Sequence, residues 1–197
     1  MKNLVEILKV DEKEKKKILL DTYPTMYCST HTHTEDSLND GAQSITECVE
    51  TAKKQGAKAL AITNHGTMMG IYEFYSKCKD NGIKPIIGVE AYVSDANLGF
   101  PFREHLILLA KDNEGYHAIS HAVTESYANT HNGFPIMDIK ILHKWFAKGS
   151  LGHNHVIATS ACVQGPVASE ILRDVYYENF WRVRDRKSGS AGMPRPI

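Results

Sequence analysis

The sequence predicts an α/β fold, in which buried strands alternate with helices along most of the 197 residues. Short, nearly continuous apolar runs such as AKALAIT and HLILLAK are typical of strands that are buried on both faces of a sheet. Segments with apolar residues at helical spacing separate those runs. Because strands joined by helices form right-handed βαβ units, we expect a mostly parallel sheet.

The first third of the chain contains a predicted extension and the first two strands. Apolar residues at helical spacing predict one or two short helices in an N-terminal extension over 1–24. β-branched and aromatic residues predict a strand over 26–34 that continues into a loop of turn formers. A helix is predicted over 42–56, with Ser44 as its cap and Gly56 as its stop. The run AKALAIT is the second strand.

The rest of the chain repeats this alternation and ends in a segment without hydrophobic periodicity. Its composition of Gly, Ser and Pro predicts disorder. The predicted elements are a helix over 69–80, strands over 85–93 and 105–111, helices over 113–129 and 135–146, a strand over 155–162, a helix over 166–180 and a disordered tail over 182–197. One domain, residues 25–181, is therefore expected between the extension and the tail.

Charge and cysteine content limit the classes of partner and compartment. Lys plus Arg and Asp plus Glu both number 23, so a formal net charge of zero gives no bulk attraction to nucleic acid. The four cysteines include no Cys-x-x-Cys pair, which argues against a disulfide framework and a zinc finger. Neither a signal peptide nor an apolar run of membrane-spanning length is found. We therefore expect a reduced, cytoplasmic protein with no membrane partner.

The segment YCSTHTHTEDSLNDG, residues 27–41, contains the first candidate ligands. Side chains alternate faces along a strand, so His31 and His33 point the same way and can share a metal ion. An isolated His-x-His is more often an exposed polar edge, so further ligands are needed to support a site. Ligand-type residues at or near other predicted strand ends are His65, Glu90 and Cys162. Because the carboxyl ends of parallel strands open onto one rim, we expect these ligand-type residues to lie close together at that rim.

The chemistry expected of this set is hydrolysis of a phosphoester. Imidazole, carboxylate and thiolate together suit zinc, manganese or iron, and a mixed nitrogen and oxygen set can hold two or three ions. Such a cluster binds a phosphate and lowers the pKa of a water that attacks phosphorus. The sequence lacks the motifs of three competing chemistries, which are Gly-x-Ser-x-Gly, a phosphate-binding loop ending in Gly-Lys-Ser/Thr, and Gly-x-Gly-x-x-Gly.

As a set, these motifs resemble the PHP (polymerase and histidinol phosphatase) domain, and more closely the version at the N-terminus of bacterial DNA polymerase III alpha subunits. The matching segments are THTHTEDSLNDGA, ALAITNHGTMMGIYEFYSKCKDNGIKPIIGVEAYV, HLILLAKDNEGYHAISHAV and IATSAC. The resemblance covers about residues 26–172 in the family's order and spacing. It implies a distorted, TIM-like (β/α)7 barrel of the PHP type with a metal cluster on its rim, truncated at the C-terminus in this chain.

The resemblance also implies a ligand set. The implied metal ligands are His31, His33, Asp40, His65, Glu90, His105 and Cys162. The expected catalytic residues among them are His31, His33, His65 and Glu90. His105 is placed by the resemblance alone, because it stands at the start of a predicted strand. Glu35 and Asp36 remain alternatives to Asp40 as the loop carboxylate.

The sequence departs from the family pattern in three ways. Asn64 stands where the family usually has Asp, so a carboxylate that would orient a ligand is expected to be missing. The family's final Asp-x-His pair of ligands has no counterpart. Only five strands can be counted where the resemblance implies seven, which would leave an unpaired sheet edge. The chain therefore resembles the front part of a longer polymerase, one half of a split gene, or a truncated and inactive product.

The leading functional hypothesis is a metal-dependent phosphoesterase module of a replicative polymerase in DNA replication, acting as a proofreading 3′-5′ exonuclease or a pyrophosphatase. Its expected partners are DNA with a primer 3′ end or another phosphate-containing substrate, and the remainder of the polymerase or other replisome subunits. A scaffold with lost or weakened metals that binds another subunit is one alternative. A free-standing phosphatase for a small metabolite such as histidinol phosphate is another.

The other histidines are expected to lie outside the site. His117 and His121 are four residues apart in a predicted helix without the acid of a His-Glu-x-x-His motif, so an ordinary surface is favoured. His153 and His155 precede their strand, which predicts an exposed loop at the opposite rim.

Overall fold

The structure, a computed structural model, describes residues 28–38, 40–94 and 103–172. Several predictions fall on other parts of the chain, namely the helical extension over 1–24, the start of the strand over 26–34, the continuation of the last helix past 172 and the disordered tail over 182–197. These predictions lie outside the described residues.

Four helices and six strands alternate within the described part of the chain, and a further helical segment covers 166–172. The helices are α1 (Ile45–Lys54), α2 (Ile71–Asp80), α3 (Asn113–Ala128) and α4 (Ile139–Phe146). The strands are β1 (Ala59–Ile62), β2 (Lys84–Ser94), β3 (Glu104–Ala110), β4 (Thr130–His131), β5 (Phe134–Asp138) and β6 (Val156–Ser160). The α/β class predicted from the sequence is confirmed.

The long strand β2 is the centre of a six-stranded sheet with the order β4-β5-β2-β3-β6. On one side, β1 pairs in parallel with its first residues and β5 pairs in parallel with its last residues. On the other side, β3 pairs antiparallel along residues 88–93, and β6 continues the sheet antiparallel to β3. The sheet is therefore mixed, and it does not close on itself.

The prediction of a mostly parallel sheet is wrong for β3, β4 and β6, which each run antiparallel to a neighbour. A parallel crossover needs a dozen or more residues, usually including a helix. The connection between β2 and β3 comprises only residues 95–103. A chain that returns this quickly to the same sheet must reverse its direction.

Two other predicted elements differ in type. Residues 28–34 are not a regular strand, although the N–H groups of Ala61 and Thr63 donate to their carbonyls at 2.9 Å. The segment 135–146, predicted as one helix, divides into β5 and α4. The dividing residue is Asp138, whose carboxylate accepts from the first N–H groups of α4. Pro135 is tolerated because β5 is short and near the sheet edge.

The helix α1 has the predicted cap and stop. The Ser44 side chain accepts from the Glu47 N–H, and the Glu47 carboxylate accepts from the Ser44 N–H, which forms a capping box. Beyond the helix, Gly56 has a φ of 75°, which is favourable only for glycine. The capping box therefore fixes where the chain leaves the loop over 34–44, and Gly56 fixes where it leaves the helix. No described helix is long and apolar enough to cross a membrane.

Alternation along β2 separates the apolar core from the polar face. Val89, Ala91 and Val93 are buried in one cluster with residues of α3 and α4. In a strand, the intervening residues Glu90 and Tyr92 point to the opposite face. A second cluster joins α1 and α2 to β1. The helices thus cover one face near the end of β2 and leave the other face for polar side chains.

Replacing Ile119 by Ala should lower the free energy of unfolding by about 2–5 kcal/mol, since this α3 side chain is fully buried in the cluster with β2. The matched control is Ile139→Ala, because Ile139 is also helical but half exposed; it should change the value by less than about 1 kcal/mol. Urea denaturation measures the free energy of unfolding of both variants. Equal losses in the two variants would contradict the burial of Ile119 in this core.

Candidate metal centre

Side chains from separate segments meet at the end of β2, on the face that the helices leave open. His31, His33 and Asp40 come from the loop before α1, His65 follows β1, Glu90 lies in β2, His105 is in β3 and Cys162 follows β6. Every member of the ligand set predicted from the sequence lies within 4 Å of another member. The structure therefore brings the whole predicted set together.

Glu90 is at the centre of this group, with 1% of its surface exposed. Its Oε2 atom lies 3.0 Å from His31 Nε2 and 2.9 Å from His33 Nε2. The same oxygen is 3.8 Å from His65 Nδ1, and the other oxygen, Oε1, is 3.3 Å from His105 Nδ1. One buried carboxylate thus contacts imidazoles from four positions in the sequence.

Two groups of ligand-type atoms share Glu90. The first comprises His33, Asp40, His65 and Glu90, and the second comprises Glu90, His105 and Cys162. Within each group, the ligand-type atoms all lie within 4.8 Å of one another. The Cys162 Sγ atom is 3.4 Å from His105 Nδ1. This arrangement is compatible with metal ions bound next to each other.

His105 joins the site because β3 runs antiparallel to β2. His105 pairs with Tyr92 in the sheet register, so the start of β3 lies beside the end of β2. The strand β6 reverses direction again, and its end brings Cys162 to the same place. The His105 N–H also donates to the Gln164 carbonyl at 2.9 Å, which holds the turn after β6 against β3.

The loop before α1 folds back tightly to place Asp40. The N–H of Ser37 donates to the Thr34 carbonyl, and the N–H of Gly41 donates to the Ser37 carbonyl. A Cβ atom on Gly41 would stand 1.7 Å from the Thr34 carbonyl oxygen, so only glycine fits. With the loop closed in this way, the Asp40 carboxylate lies 2.6 Å from His65 Nδ1.

The two alternative loop carboxylates lie elsewhere. The side chain of Glu35 is exposed. The Asp36 carboxylate lies beside Gly70 at the start of α2. Asp40 is therefore the loop acid that the structure places among the histidines.

The Asn64 side chain fixes the loop before α1 and does not orient a candidate ligand. Its side chain is buried, its Oδ1 accepts from the Thr34 N–H at 2.8 Å, and its Nδ2 donates to Thr34 Oγ1 at 2.9 Å. A further contact runs from Nδ2 to the Met69 carbonyl at 3.5 Å. The amide uses both its donor and its acceptor, which a carboxylate could not do. Asparagine thus has a structural reason to stand at this position.

Ser37 is part of the site, although the sequence analysis treated it only as a turn former. Its buried hydroxyl accepts from the His65 N–H at 2.9 Å and donates to the Asp40 carboxylate. The same oxygen is 3.2 Å from His33 Nδ1. No pattern could have identified it, since serine is common in turns for local reasons.

The charges of the group shift its pKa values. Burial raises the pKa of Glu90, but the imidazoles of His105 and His33 beside it outweigh burial and hold the pKa well below its usual range. Burial lowers the pKa of His65 despite its contact with Asp40, so this imidazole is neutral at neutral pH. Burial also lowers the pKa of His33, but Glu90 and Asp40 outweigh it and raise the value. The ionised Glu90 carboxylate and the neutral His65 imidazole are in the forms that bind metals.

The residues fit a metal ion. Within the described chain, the buried His65 Nε2 atom has no hydrogen-bond partner, which is unusual for a buried polar atom. In addition, His31 Nε2 is 2.9 Å from His33 Nε2, and both lie against the same Glu90 oxygen. Donor atoms that share one cation at about 2.0–2.2 Å lie roughly 3 Å apart. The donor set and its spacing therefore suit a cation.

The remaining histidines lie outside this centre. His117 and His121 are exposed on α3, and His121 stacks on Trp145. His155 lies 2.7 Å from Asp112 at the opposite end of β3, where both side chains are about 40% exposed. His153 is only partly buried.

A mixed sheet that carries histidines, carboxylates and a thiol around one buried glutamate defines a candidate metal-binding α/β domain. The sequence matches the PHP domain family over residues 29–187, which is most of the chain. The chain belongs to this family, and the resemblance noted in the sequence is confirmed.

Relatives with a curated description are DNA polymerase III alpha subunits. The chain is 40% identical over 166 residues to that of Helicobacter pylori strain 26695, a match that covers 82% of this chain and 13% of the relative. It is 37% identical over 164 residues to that of Aquifex aeolicus, which covers 77% and 14%. The chain thus spans 13% to 14% of the length of these relatives.

Among solved structures, an amidohydrolase from Chromobacterium violaceum with bound sulfate is 25% identical, with a TM-score of 0.42. The match covers 52% of this chain and 34% of that one. A TM-score of this size carries no argument about fold or function.

The substitution Glu90→Gln should lower the metal content by about one ion or more per chain, because it removes the negative charge that the imidazoles share. The matched control is Glu73→Gln, since Glu73 is an exposed acid on α2 paired with Lys77. Mass spectrometry of the purified proteins measures bound metal. An unchanged content in Glu90→Gln would show that Glu90 is not the centre of a metal site.

The substitution Ser37→Ala should weaken metal binding by about 10- to 100-fold while leaving the fold intact, because it removes a contact that orients Asp40 and His65. Titration with a competing chelator measures the affinity, and circular dichroism checks the fold. Ser76→Ala on α2 is the control and should bind metal like the wild type. Equal affinities in the two variants would exclude this orienting role.

Proposed function

We propose that this chain is a metal-dependent phosphoesterase module of a replicative DNA polymerase. The observation that carries the proposal is the shared position of Glu90 between two groups of ligand-type atoms. Enzymes that hydrolyse phosphoesters use such adjacent metal sites to stabilise both the attacking and the leaving oxygen. Membership of the PHP family and the polymerase III relatives support the same class.

The proposed metal ligands are the set predicted from the sequence, His31, His33, Asp40, His65, Glu90, His105 and Cys162. They would hold two or three ions of zinc, manganese or iron, because nitrogen, oxygen and sulfur ligands together suit these metals. When bound, such ions lower the pKa of a water and stabilise negative charge on a phosphate. His31, His33, His65 and Glu90 are proposed as the catalytic residues of this set.

The chain's own contacts fix the orientation of these groups. The Asp40 carboxylate beside His65 Nδ1 favours a proton on that nitrogen and leaves the lone pair of Nε2 free. The ring of Tyr92 stacks on the His65 ring at a centroid distance of 4.4 Å and restricts its rotation. Glu90 stays ionised in the centre, because the neighbouring imidazoles of His105 and His33 outweigh burial and hold its pKa well below its usual range.

The proposed substrate is a phosphodiester at a DNA primer 3′ end or a pyrophosphate, which corresponds to a proofreading 3′-5′ exonuclease or a pyrophosphatase. The proposed partners are the remainder of a polymerase or other replisome subunits, and the support is the description of the relatives. The chain covers only a small part of those relatives, so the assignment of their activity to this chain is a proposal.

We also propose that the mixed sheet belongs to a distorted, TIM-like (β/α)7 barrel that is incomplete in this chain, with the PHP domain extending over 25–181. The support is the family membership and the end of the sheet at β6. Among the described residues β6 has a strand on one side only, and Ile157 in it is half exposed.

A second candidate is a scaffold without catalysis that binds another subunit. The observation that bears on this candidate is Asn64, which stands where the family usually has an acid. The hydrogen bonds of Asn64 to the loop explain this residue without a loss of function. A free-standing histidinol phosphate phosphatase is less supported, because the curated relatives described above are polymerase subunits.

The substitution His33→Ala should abolish hydrolysis, because His33 lies 2.9 Å from the central carboxylate and next to His31. Turnover is measured on a 3′-recessed DNA duplex and on histidinol phosphate with the same metal-loaded protein. His117→Ala, on the exposed face of α3, is the control and should retain wild-type turnover.

Three outcomes separate the candidates. Cleavage of the DNA end alone supports the polymerase module, whereas cleavage of histidinol phosphate alone supports the small-molecule phosphatase. A wild-type chain with less than about one bound ion supports the scaffold. Unchanged turnover in His33→Ala would place the active site elsewhere.

A further inference from the structure

An open pocket lies directly beside the metal centre. Its volume is about 530 Å³, a size that accommodates a small phosphate ester. One wall is formed by Asp40, His65 and His105 of the metal centre. The lining also includes Arg103 and Phe134, which have no role in the reaction proposed above.

Arg103 is held by aromatic rings. Its Cζ atom lies 3.4 Å from the centroid of the Phe134 ring and 5.8 Å from the centroid of the Tyr92 ring. Such contacts stabilise a guanidinium through the negative face of the ring without using its N–H donors. Among the described residues, Arg103 contacts these two rings and forms no ion pair with a carboxylate, so its N–H donors can bind an anion.

Tyr92 connects Arg103 to the metal centre. The Tyr92 ring stacks on His65 at 4.4 Å and lies 5.4 Å from the His105 ring. The guanidinium and two candidate ligands therefore all lie close to the ring of one aromatic side chain. A phosphate held by Arg103 would lie at the edge of the metal centre.

The charge of the pocket also favours an anion. Asp40 supplies the one carboxylate among the described residues that line the pocket. Arg103 is the lining group that is positively charged at neutral pH, whereas burial keeps the His65 imidazole neutral. The guanidinium attracts a negative group to its own part of the pocket.

We infer that Arg103 is the phosphate-binding residue of this site and that it holds non-bridging oxygens of the substrate's phosphoryl group beside the metal centre. The inference rests on the proposed phosphoesterase function and names a residue for its substrate. Two N–H groups of a guanidinium match two oxygens of a phosphate, which makes arginine a better fit than lysine here. Phe134 and Tyr92 act as positioning residues, since they hold the guanidinium plane.

The test measures phosphate binding separately from turnover. Calorimetry with inorganic phosphate is performed on the metal-loaded 197-residue chain, and kinetics are measured with p-nitrophenyl phosphate and its diester. Arg103→Gln should raise the Kd for phosphate and the KM for ester by about 10-fold or more, and Arg103→Lys should raise both by less. The metal content of both variants should equal that of the wild type.

The control is Lys148→Gln, which removes one positive charge at an exposed position outside the pocket and should bind phosphate like the wild type. Equal phosphate affinity in Arg103→Gln and Lys148→Gln would overturn the inference. A wild-type chain that binds no phosphate, or an Arg103→Gln chain that loses its metal, would overturn it too.

The two proposals can fail separately. If phosphate binding depends on Arg103 but no ester is hydrolysed, the inference stands and the proposed hydrolysis fails. If esters are hydrolysed equally well by Arg103→Gln, the proposed function stands and the role of Arg103 is wrong.

Discussion

The burial of one carboxylate organises this domain. Glu90 lies in the central strand with almost no exposed surface, and a charge in such a place costs several kcal/mol unless other groups compensate it. The compensation comes from imidazoles that three separate parts of the backbone carry. The loop before α1, the turn after β1 and the start of β3 must therefore all reach the same point of the sheet. The need to surround Glu90 with imidazoles therefore constrains the fold as well as the chemistry of the site.

Strand direction satisfies this requirement. In a wholly parallel sheet, the start of β3 would lie at the end of the sheet remote from the loop histidines. The short connection after β2 forces β3 to run antiparallel, which puts His105 opposite Tyr92. The next reversal, into β6, returns the chain to the same end and delivers Cys162. The two antiparallel pairs are thus the reason that two groups of ligand-type atoms can share Glu90.

Local signals in the sequence predicted the local structure, and non-local features were missed. The helix with Ser44 as cap and Gly56 as stop follows from short-range preferences, and these do not depend on the sheet. The direction in which β3 pairs depends on the strand beside it. The apolar pattern of the β3 segment does not show this. Residues near strand ends could be proposed as neighbours, but His105 required the family resemblance. Ser37 acts through a buried hydroxyl, and the same residue in an exposed turn would look identical in the sequence.

The contacts of Asn64 explain why an asparagine at this position is compatible with catalysis. An asparagine in place of an acid beside a ligand histidine is expected where a site has lost its orienting carboxylate. Here Asn64 donates and accepts hydrogen bonds with Thr34, while a carboxylate from the loop, Asp40, lies beside His65 instead. An aspartate at position 64 would have no N–H to donate, and it would add a negative charge behind a loop that already carries Asp40. Since the two ligand groups around Glu90 form without an acid at position 64, the substitution follows from the packing of this loop and does not require a loss of metal binding.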